Sequence, residues 1–191
     1  MRIIGGTHRG RRLCPVGAGD AAGHLRPTSD RVREAVFNLL INGNYGDPVE
    51  GARVLDLFAG TGALGLEALS RGAASVTFVD DGAPANALLR RNIEILGAAQ
   101  TTRILRRDAT RMADNPGPAC TLAFLDPPYG MARGEAALKS CIAGGWIAPH
   151  ALVVWEENTP PLPPPGFHLL DQRRYGETLV TILRAPEGPP A

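Results

Sequence analysis

The segment Asp126-Pro127-Pro128-Tyr129 carries the most specific chemical signal in this chain of 191 residues. It follows the apolar run LAFL at 122–125, which has the length and composition of a buried strand. Consecutive prolines fix φ and remove two backbone N–H donors, which leaves a rigid loop rich in hydrogen-bond acceptors. The lone pair of an exocyclic base amine is delocalised into its ring, so acceptors must hold the amine hydrogens and aim that lone pair. We predict that the Asp126 carboxylate and the Pro127 carbonyl do this, and that a flipped-out base stacks on Tyr129.

A glycine-rich loop, VLDLFAGTGALG at 54–65, is the second candidate site. Its glycines, Gly60, Gly62 and Gly65, stand between a predicted strand and a predicted helix, where they let the backbone approach a ligand. Dinucleotide-binding enzymes also use such a loop, to hold a pyrophosphate at the helix N-terminus. Here the Asp56 carboxylate, inside the strand, would repel a pyrophosphate and attract an ammonium group. We therefore predict S-adenosylmethionine, which carries an ammonium and a sulfonium, as the cofactor in preference to NAD.

Two further aspartates follow the next predicted strands. Asp80 ends the second strand, at the position where an acidic side chain can accept from ribose hydroxyls. Asp108 follows the third strand and could accept from an adenine amino group. The alternative is that both are ordinary turn residues at strand ends. The predicted donor-binding residues are Asp56, Phe58, Ala59, Gly60, Thr61, Gly62, Asp80, Asp108, Ala109 and Asp126.

Short apolar runs alternate with helical segments around these loops, which predicts parallel strands joined by crossover helices. Such open α/β sheets bind ligands beyond the carboxyl ends of their strands, so both candidate loops are expected at one edge. The last two strands lack an intervening helix and predict an antiparallel hairpin through residues 173–177. The predicted strands are Arg53–Phe58, Ser75–Val79, Thr102–Leu105, Leu122–Leu125, Ala151–Trp155, Phe167–Gln172 and Thr178–Leu183, and the helices between them are Leu64–Ser70, Ala85–Leu96 and Glu135–Ala143.

Positive charge is concentrated at the start of the chain. Residues 1–33 contain seven arginines and two aspartates, although the whole chain has a formal net charge of only +1. Alternating apolar and polar residues around Gly5-Gly6 predict a short hairpin or arm. Guanidinium groups suit phosphate contacts, so the arm is predicted to bind RNA, with a plain solvated surface as the alternative. The predicted RNA-binding residues are Arg9, Arg11, Arg12, Arg26 and Arg31.

A helix is predicted to follow this arm, starting near Pro27 with Ser29 or Asp30 as its N-cap. Its apolar positions recur at helical spacing and predict one packed face, opposite a charged face. We expect residues 1–50 to form a basic arm and helix, and residues 51–191 to form the core domain. The apolar positions are Val32, Val36, Leu39 and Leu40, and the charged ones are Arg31, Arg33 and Glu34.

Length and composition limit the remaining classes of protein. A chain of this size suits one substantial core. No apolar run reaches the roughly 18–20 residues of a membrane span, and the opening residues do not resemble a signal peptide, so a soluble, cytoplasmic monomer is expected. The three cysteines are widely spaced without a C-x-x-C pair, which argues against a disulfide framework and a zinc site. We therefore expect no metal.

Two motifs together identify a resemblance to known enzymes. DLFAGTGALGLEALSRGA at 56–73 and LAFLDPPYG at 122–130 resemble methyltransferases that modify exocyclic base amines. With RIIGG at 2–6, RGRRL at 9–13 and LRPTSDRVREAVFNLL at 25–40, nearly the whole chain resembles the RsmD family, bacterial enzymes that methylate a guanine N2 of 16S ribosomal RNA.

The resemblance implies the Rossmann-like, seven-stranded methyltransferase fold, S-adenosylmethionine as methyl donor, and a partly assembled small ribosomal subunit as substrate. It also implies roles for single residues. Asp56, Gly60 and Gly62 would lie along the donor's methionine part, and residues 126–129 at the target amine. Asp80, which stands where similar proteins usually have glutamate, would lie at the ribose, and Asp108 would lie at the adenine.

Other functions fit parts of the same pattern. A DNA methyltransferase acting on adenine N6 or cytosine N4 could use the same acceptor loop, but such enzymes commonly carry an inserted recognition region, for which no stretch remains here. A non-catalytic RNA-binding module would not need intact glycines and an intact DPPY segment. A small-molecule methyltransferase would not need the arginine-rich arm.

Overall fold

The computed structural model describes residues 1–15 and 29–188 and contains a seven-stranded sheet with helices on both faces. Each strand and helix that the sequence predicts is present, with shifts at the ends. The strands are β1 Arg53–Leu57, β2 Ser75–Val79, β3 Thr102–Leu105, β4 Cys120–Leu125, β5 Ile147–Glu157, β6 His168–Tyr175 and β7 Thr178–Arg184. The helices are α1 Asp30–Asn42, α2 Ala63–Ser70, α3 Ala83–Leu96 and α4 Arg133–Ala143, with a 3-10 turn at Ala99–Thr101.

The strand order is β3-β2-β1-β4-β5-β7-β6. Strands β1 to β5 pair in parallel, whereas β7 runs antiparallel to both β5 and β6. This topology confirms the expected seven-stranded methyltransferase fold with its antiparallel C-terminal hairpin. Leu57, at the end of β1, pairs with Leu125, at the end of β4. The strand order reverses between these two strands, which is where open α/β sheets bind their ligands.

Two hydrophobic clusters cover the faces of the sheet. Val54 of β1 belongs to the cluster that contains Phe37 of α1, Leu66 of α2 and Leu89 of α3. Leu55, the next residue along β1, belongs to the cluster around α4. This alternation explains why the parallel strands are apolar on both sides. Within the described ranges, the helices are too short or too polar to cross a membrane.

Helix α1 begins at Asp30 with Ser29 as its N-cap, as predicted, and the Ser29 hydroxyl accepts from the Val32 N–H at 3.2 Å. The prediction that Arg33 lies on an exposed charged face is wrong, because its side chain is fully buried. Its guanidinium lies 2.9 Å from Asp30 and 3.7 Å from Glu67, and also donates to a backbone carbonyl of the arm. A buried guanidinium is tolerated when carboxylates and hydrogen bonds compensate it, which helical spacing cannot reveal.

The C-terminal hairpin has longer strands than predicted. Strand β6 continues through Tyr175, so Gly176 and Glu177 alone connect it to β7, in place of the wider connection expected at 173–177. Gly176 has a φ of +63°, a conformation that glycine adopts at little cost. Such short connections with positive φ are typical of tight hairpins.

The first fifteen residues form the predicted hairpin-like arm. The Ile3 N–H donates to the Arg11 carbonyl at 2.9 Å, and the Gly10 N–H donates to the Ile3 carbonyl at 2.8 Å. Arg2 and Arg12 form an antiparallel bridge. Ile3 is fully buried in the cluster with α1 to α3, so the arm packs on the core. The division of the chain at residue 50 remains our proposal.

Candidate active site

The glycine loop between β1 and α2 turns sharply and is tightly packed. Phe58, Gly60 and Gly62 have φ values of +59°, +54° and +76°. A Cβ on Gly62 would lie 2.3 Å from the Leu89 Cδ1 atom, so a side chain at this position would displace the buried Leu89 and strain the backbone at its positive φ. Positive φ at a phenylalanine is an unusual backbone conformation, and such residues cluster at functional sites.

Asp56 lies beneath this loop and is buried. One of its carboxylate oxygens accepts from the Gly65 N–H at 2.9 Å, which holds the start of α2 against β1. Burial raises the pKa of Asp56 well above its usual value, the Gly65 hydrogen bond opposes this, and the charges of Asp126 and Asp80 add to it. In this structure Asp56 shapes the glycine loop, and its contact with the donor's amino group stays a prediction.

Asp80 connects the glycine loop to the end of β2. Its two carboxylate oxygens accept from the N–H groups of Gly60 and Gly82, each at 2.8 Å. Burial raises the pKa of Asp80, and both hydrogen bonds oppose the increase. A carboxylate offers about four acceptor positions, so about two remain for ribose hydroxyls. The predicted ribose contact is therefore compatible with the role that Asp80 has in the fold.

Arg133, at the start of α4, joins the donor side of the site and was not predicted from the sequence. Its guanidinium lies 3.1 Å from Asp108 and 3.9 Å from Asp81, and 5.6 Å from the centre of the Phe58 ring. The Thr110 backbone N–H holds the pKa of Asp108 below its usual value, with further lowering by Arg133. Arg133 comes seven residues after Asp126, so its place just beyond the acceptor loop is the sequence signal that could have drawn attention to it.

The acceptor loop lies beside the glycine loop at the same edge of the sheet. The Asp126 N–H donates to the Leu57 carbonyl at 3.4 Å, and the charge of Asp126 acts on the buried Asp56. Pro127 is buried, whereas Pro128 is exposed. The predicted donor loop and the predicted acceptor loop therefore meet at the ends of β1 and β4.

Tyr129 and Gly130 are anchored to the C-terminal part of the sheet. The Tyr129 hydroxyl lies 3.3 Å from the Thr178 hydroxyl of β7, and the Gly130 N–H donates to Glu157 of β5 at 3.3 Å. Burial raises the pKa of Tyr129, its hydrogen bond with Thr178 opposes this, and nearby carboxylates raise it further. The two anchors, Thr178 and Glu157, lie far from the loop in the chain, so sequence spacing does not reveal them.

We expect the Tyr129 ring to matter more than its hydroxyl. Tyr129→Phe removes one neutral hydrogen bond of about 1 kcal/mol and should keep most of the activity. Tyr129→Ala removes the predicted stacking platform, so kcat/KM should fall roughly 5-fold to 150-fold, which corresponds to about 1–3 kcal/mol of base stacking. Single-turnover rates and melting temperatures of both variants measure these effects.

Thr178→Val is the matched control, because it removes the partner of the Tyr129 hydroxyl and leaves the ring in place. If the ring carries the effect, Thr178→Val and Tyr129→Phe should behave alike and stay close to the unmodified protein. A Phe variant as slow as the Ala variant, or an Ala variant that melts early, would show that Tyr129 acts mainly by holding the loop.

The predicted RNA-binding arginines that the structure describes are exposed to solvent. Arg9, Arg11, Arg12 and Arg31 are all exposed, and within residues 1–15 and 29–188 no ion pair engages them. Arg26 lies outside the described residues. Of the remaining predicted donor-site residues, Thr61 and Ala109 are buried, and Ala59 is partly buried.

Comparisons with known proteins agree with this fold. The family model described as conserved hypothetical protein 95 matches residues 1–184. Ribosomal RNA small subunit methyltransferase D of Escherichia coli is 38% identical over 187 residues, which cover 96% of this chain and 89% of that protein. The protein of the same name from Haemophilus influenzae is 35% identical over 182 residues, which cover 92% of this chain and 89% of that protein.

Solved structures give the same result. A structure from Escherichia coli, described provisionally as a methyltransferase, superposes with a TM-score of 0.81 at 34% identity and covers 97% of this chain and 98% of its own. A Thermus thermophilus protein described as hypothetical superposes with a TM-score of 0.70 at 32% identity, over 95% and 98% of the two chains. With its seven-stranded sheet, glycine loop and acceptor loop in place, the chain belongs to the RsmD family of methyltransferases, as its motifs predict.

Proposed function

We propose that this chain transfers a methyl group from S-adenosylmethionine to the exocyclic N2 amine of a guanine in 16S ribosomal RNA, within a partly assembled small ribosomal subunit. The proposal rests above all on the meeting of the glycine loop and the Asp126-Pro127 acceptor loop at the ends of β1 and β4. Ribosomal RNA is the substrate named for the curated relatives, and the guanine amine follows from the family resemblance.

The residues at the donor side fit S-adenosylmethionine. The carboxylates of Asp80 and Asp108 follow β2 and β3, where they suit hydroxyl, amino and cationic groups and would repel a pyrophosphate. The glycine loop brings backbone close to the same place, and Asp80 holds that loop through Gly60. When bound, S-adenosylmethionine supplies an electrophilic methyl group on its sulfonium. We assign the ten predicted donor-site residues to this pocket as part of the proposal.

The acceptor loop would then orient the base. The Asp126 carboxylate and the Pro127 carbonyl accept the amine hydrogens, which aims the nitrogen lone pair at the methyl group. Asp126 can receive the proton that the amine gives up, and the base stacks on the ring of Tyr129. Tyr129 is held by β7 and Gly130 by β5, which fixes the end of the acceptor loop, so catalysis is mainly positioning and electrostatics.

A direct assay distinguishes this function from its alternatives. The protein is incubated with labelled S-adenosylmethionine and, in parallel, with unmodified small ribosomal subunits, free 16S ribosomal RNA or DNA, and the products are digested to nucleosides. We expect N2-methylguanosine from the ribosomal substrates. Methylated adenine or cytosine from DNA would favour the DNA methyltransferase, and binding of RNA without any transfer would favour the non-catalytic module.

The arm should bind RNA through phosphate contacts. Replacing Arg9, Arg11 and Arg12 together by alanine should lower the affinity for 16S ribosomal RNA and flatten its dependence on salt, because each lost phosphate contact reduces the slope of log K against log salt by about 0.7–0.9. Filter binding at several salt concentrations measures both effects.

The matched control replaces Arg173 and Arg174, two exposed arginines of the edge strand β6, of which Arg173 already pairs with Asp171. This pair should leave the salt slope nearly unchanged. If the triple arm variant keeps both the affinity and the slope of the unmodified protein, the arm has a structural role only.

A further inference from the structure

The N-terminal arm is fixed to α2, the helix that directly follows the glycine loop. The N–H groups of Ile4 and Gly5 donate to the two carboxylate oxygens of Glu67, both at 2.8 Å. The His8 N–H donates to the Ser70 hydroxyl at 2.9 Å, and that hydroxyl donates to the Gly5 carbonyl at 2.6 Å. A Cβ on Gly6 would lie 1.6 Å from the Ser70 carbonyl oxygen. The arm therefore sits in one defined position on this helix.

The far end of the arm reaches the glycine loop through Asn92 of α3. The Cys14 N–H donates to the Asn92 Oδ1 atom at 2.7 Å, and the Asn92 Nδ2 atom donates to the Thr61 carbonyl at 2.9 Å. At the near end of the arm, the Met1 sulfur lies 3.6 Å from the Thr61 hydroxyl. The arm is thus joined to Thr61, which stands between Gly60 and Gly62, directly at Met1 and through Asn92 at Cys14.

The chemistry of Asn92 suits a link between two backbones. Its side chain has no solvent exposure, and its amide uses the oxygen for the arm and the nitrogen for the loop. If either contact is lost, one polar atom of the buried amide is left without a hydrogen bond, which costs free energy. The two contacts therefore depend on one another. Movement of the arm therefore changes the support of the Thr61 carbonyl in the loop.

We propose that Asn92 is a positioning residue that couples the RNA-binding arm to the donor-binding loop, so that RNA and S-adenosylmethionine strengthen each other's binding. This inference rests on the proposed function, in which the arm binds RNA and the loop binds the donor. Coupling of this kind is reciprocal: the factor by which RNA raises donor affinity equals the factor by which the donor raises RNA affinity.

The test changes one backbone donor and leaves Asn92 itself in place. Cys14→Pro removes the N–H that Asn92 accepts, whereas the control Cys14→Ala keeps it and changes only the side chain. Cys14 already precedes Pro15, so its backbone is confined to an extended region that proline also adopts. Titration calorimetry with S-adenosylhomocysteine, a non-reactive donor analogue, is performed with and without an unmodified 16S ribosomal RNA transcript.

We expect Cys14→Ala to match the unmodified protein and Cys14→Pro to bind the analogue about tenfold more weakly and to lose the gain that RNA provides. Equal affinity and equal gain in both variants would overturn the coupling, and so would the absence of any gain in the unmodified protein. The proposed function and the link between arm and loop can fail separately. If the protein does not methylate ribosomal RNA, but Cys14→Pro still binds the analogue more weakly than Cys14→Ala in the absence of RNA, the proposed function is wrong and the link between arm and loop stands.

Hydrogen exchange on the unmodified protein gives a second readout that does not depend on a variant. Adding the RNA transcript should slow exchange of the amides at residues 60–62, because a fixed arm holds Asn92 and, through it, the loop. The Gly62 N–H, which donates to the Ala59 carbonyl at 2.7 Å, is the most direct reporter. If the exchange rates at residues 60–62 are the same with and without RNA, the coupling is contradicted, and this result holds even if Cys14→Pro does not fold.

Discussion

Replacing Asp126 by alanine is expected to lower the rate of methyl transfer by about 10²- to 10³-fold, whereas donor affinity should change little because the other nine residues assigned to the donor pocket are kept. The substitution removes the carboxylate that holds the amine hydrogens and takes up the proton, at the end of β4. It leaves the glycine loop and the contacts of Asp80 unchanged, since the backbone N–H of residue 126, which donates to Leu57, is kept. Single-turnover rates and donor titrations measure the two effects separately.

Two variants control for this result. Asp126→Asn keeps one carbonyl acceptor and should retain more activity than the alanine variant. Asp81→Ala removes a negative charge from the same edge of the sheet, where the Asp81 side chain is 62% exposed, and should change the rate little. If Asp126→Ala transferred methyl groups as fast as the unmodified protein, the orientation of the amine by Asp126 would be wrong.

The fold and the meeting of the two loops followed from local sequence patterns. Alternating apolar runs and helical segments predict parallel strands, and parallel strands place their carboxyl ends at one edge. This is why Gly60 and Asp126, 66 residues apart in the chain, could be expected together before any contact was known. The tight loop at Gly62 also has a local signal, because glycine there marks a positive φ.

The contacts that hold the loops have no such signal. Arg133 and Glu157 reach the site from α4 and β5, and their partners are set by tertiary packing. In the sequence, Asn92 is an ordinary polar residue of a helix. Its role becomes visible only in the structure, where the arm and the glycine loop both contact it. The burial of Arg33 was mispredicted for the same reason. Helical spacing predicts which residues share a face, but it does not show whether a buried carboxylate lies opposite that face.

Glu67 is that buried carboxylate, and it holds together the arm, α1 and α2. Its side chain has no solvent exposure. It accepts from the backbone of Ile4 and Gly5, from Arg71 at 2.7 Å, and lies 3.7 Å from Arg33. Breaking a buried ion pair by removing one partner costs more than the pair contributes, because a desolvated charge is left without compensation.

Glu67→Ala should therefore destabilise the protein by about 3–5 kcal/mol, since it removes one of the two carboxylates beside the buried Arg33 guanidinium and the acceptor of two backbone N–H groups of the arm. For a chain of this length that corresponds to a melting temperature lower by about 6–20 °C. Glu67→Gln keeps one carbonyl oxygen as an acceptor and should lose less. Arg173→Ala, which breaks the more exposed pair with Asp171, should stay within about 0.5 kcal/mol of the unmodified protein. Thermal and urea unfolding measure the stability of all three variants. If the Glu67→Ala variant melts at the same temperature as the Arg173→Ala variant, the Glu67 carboxylate does not hold the arm.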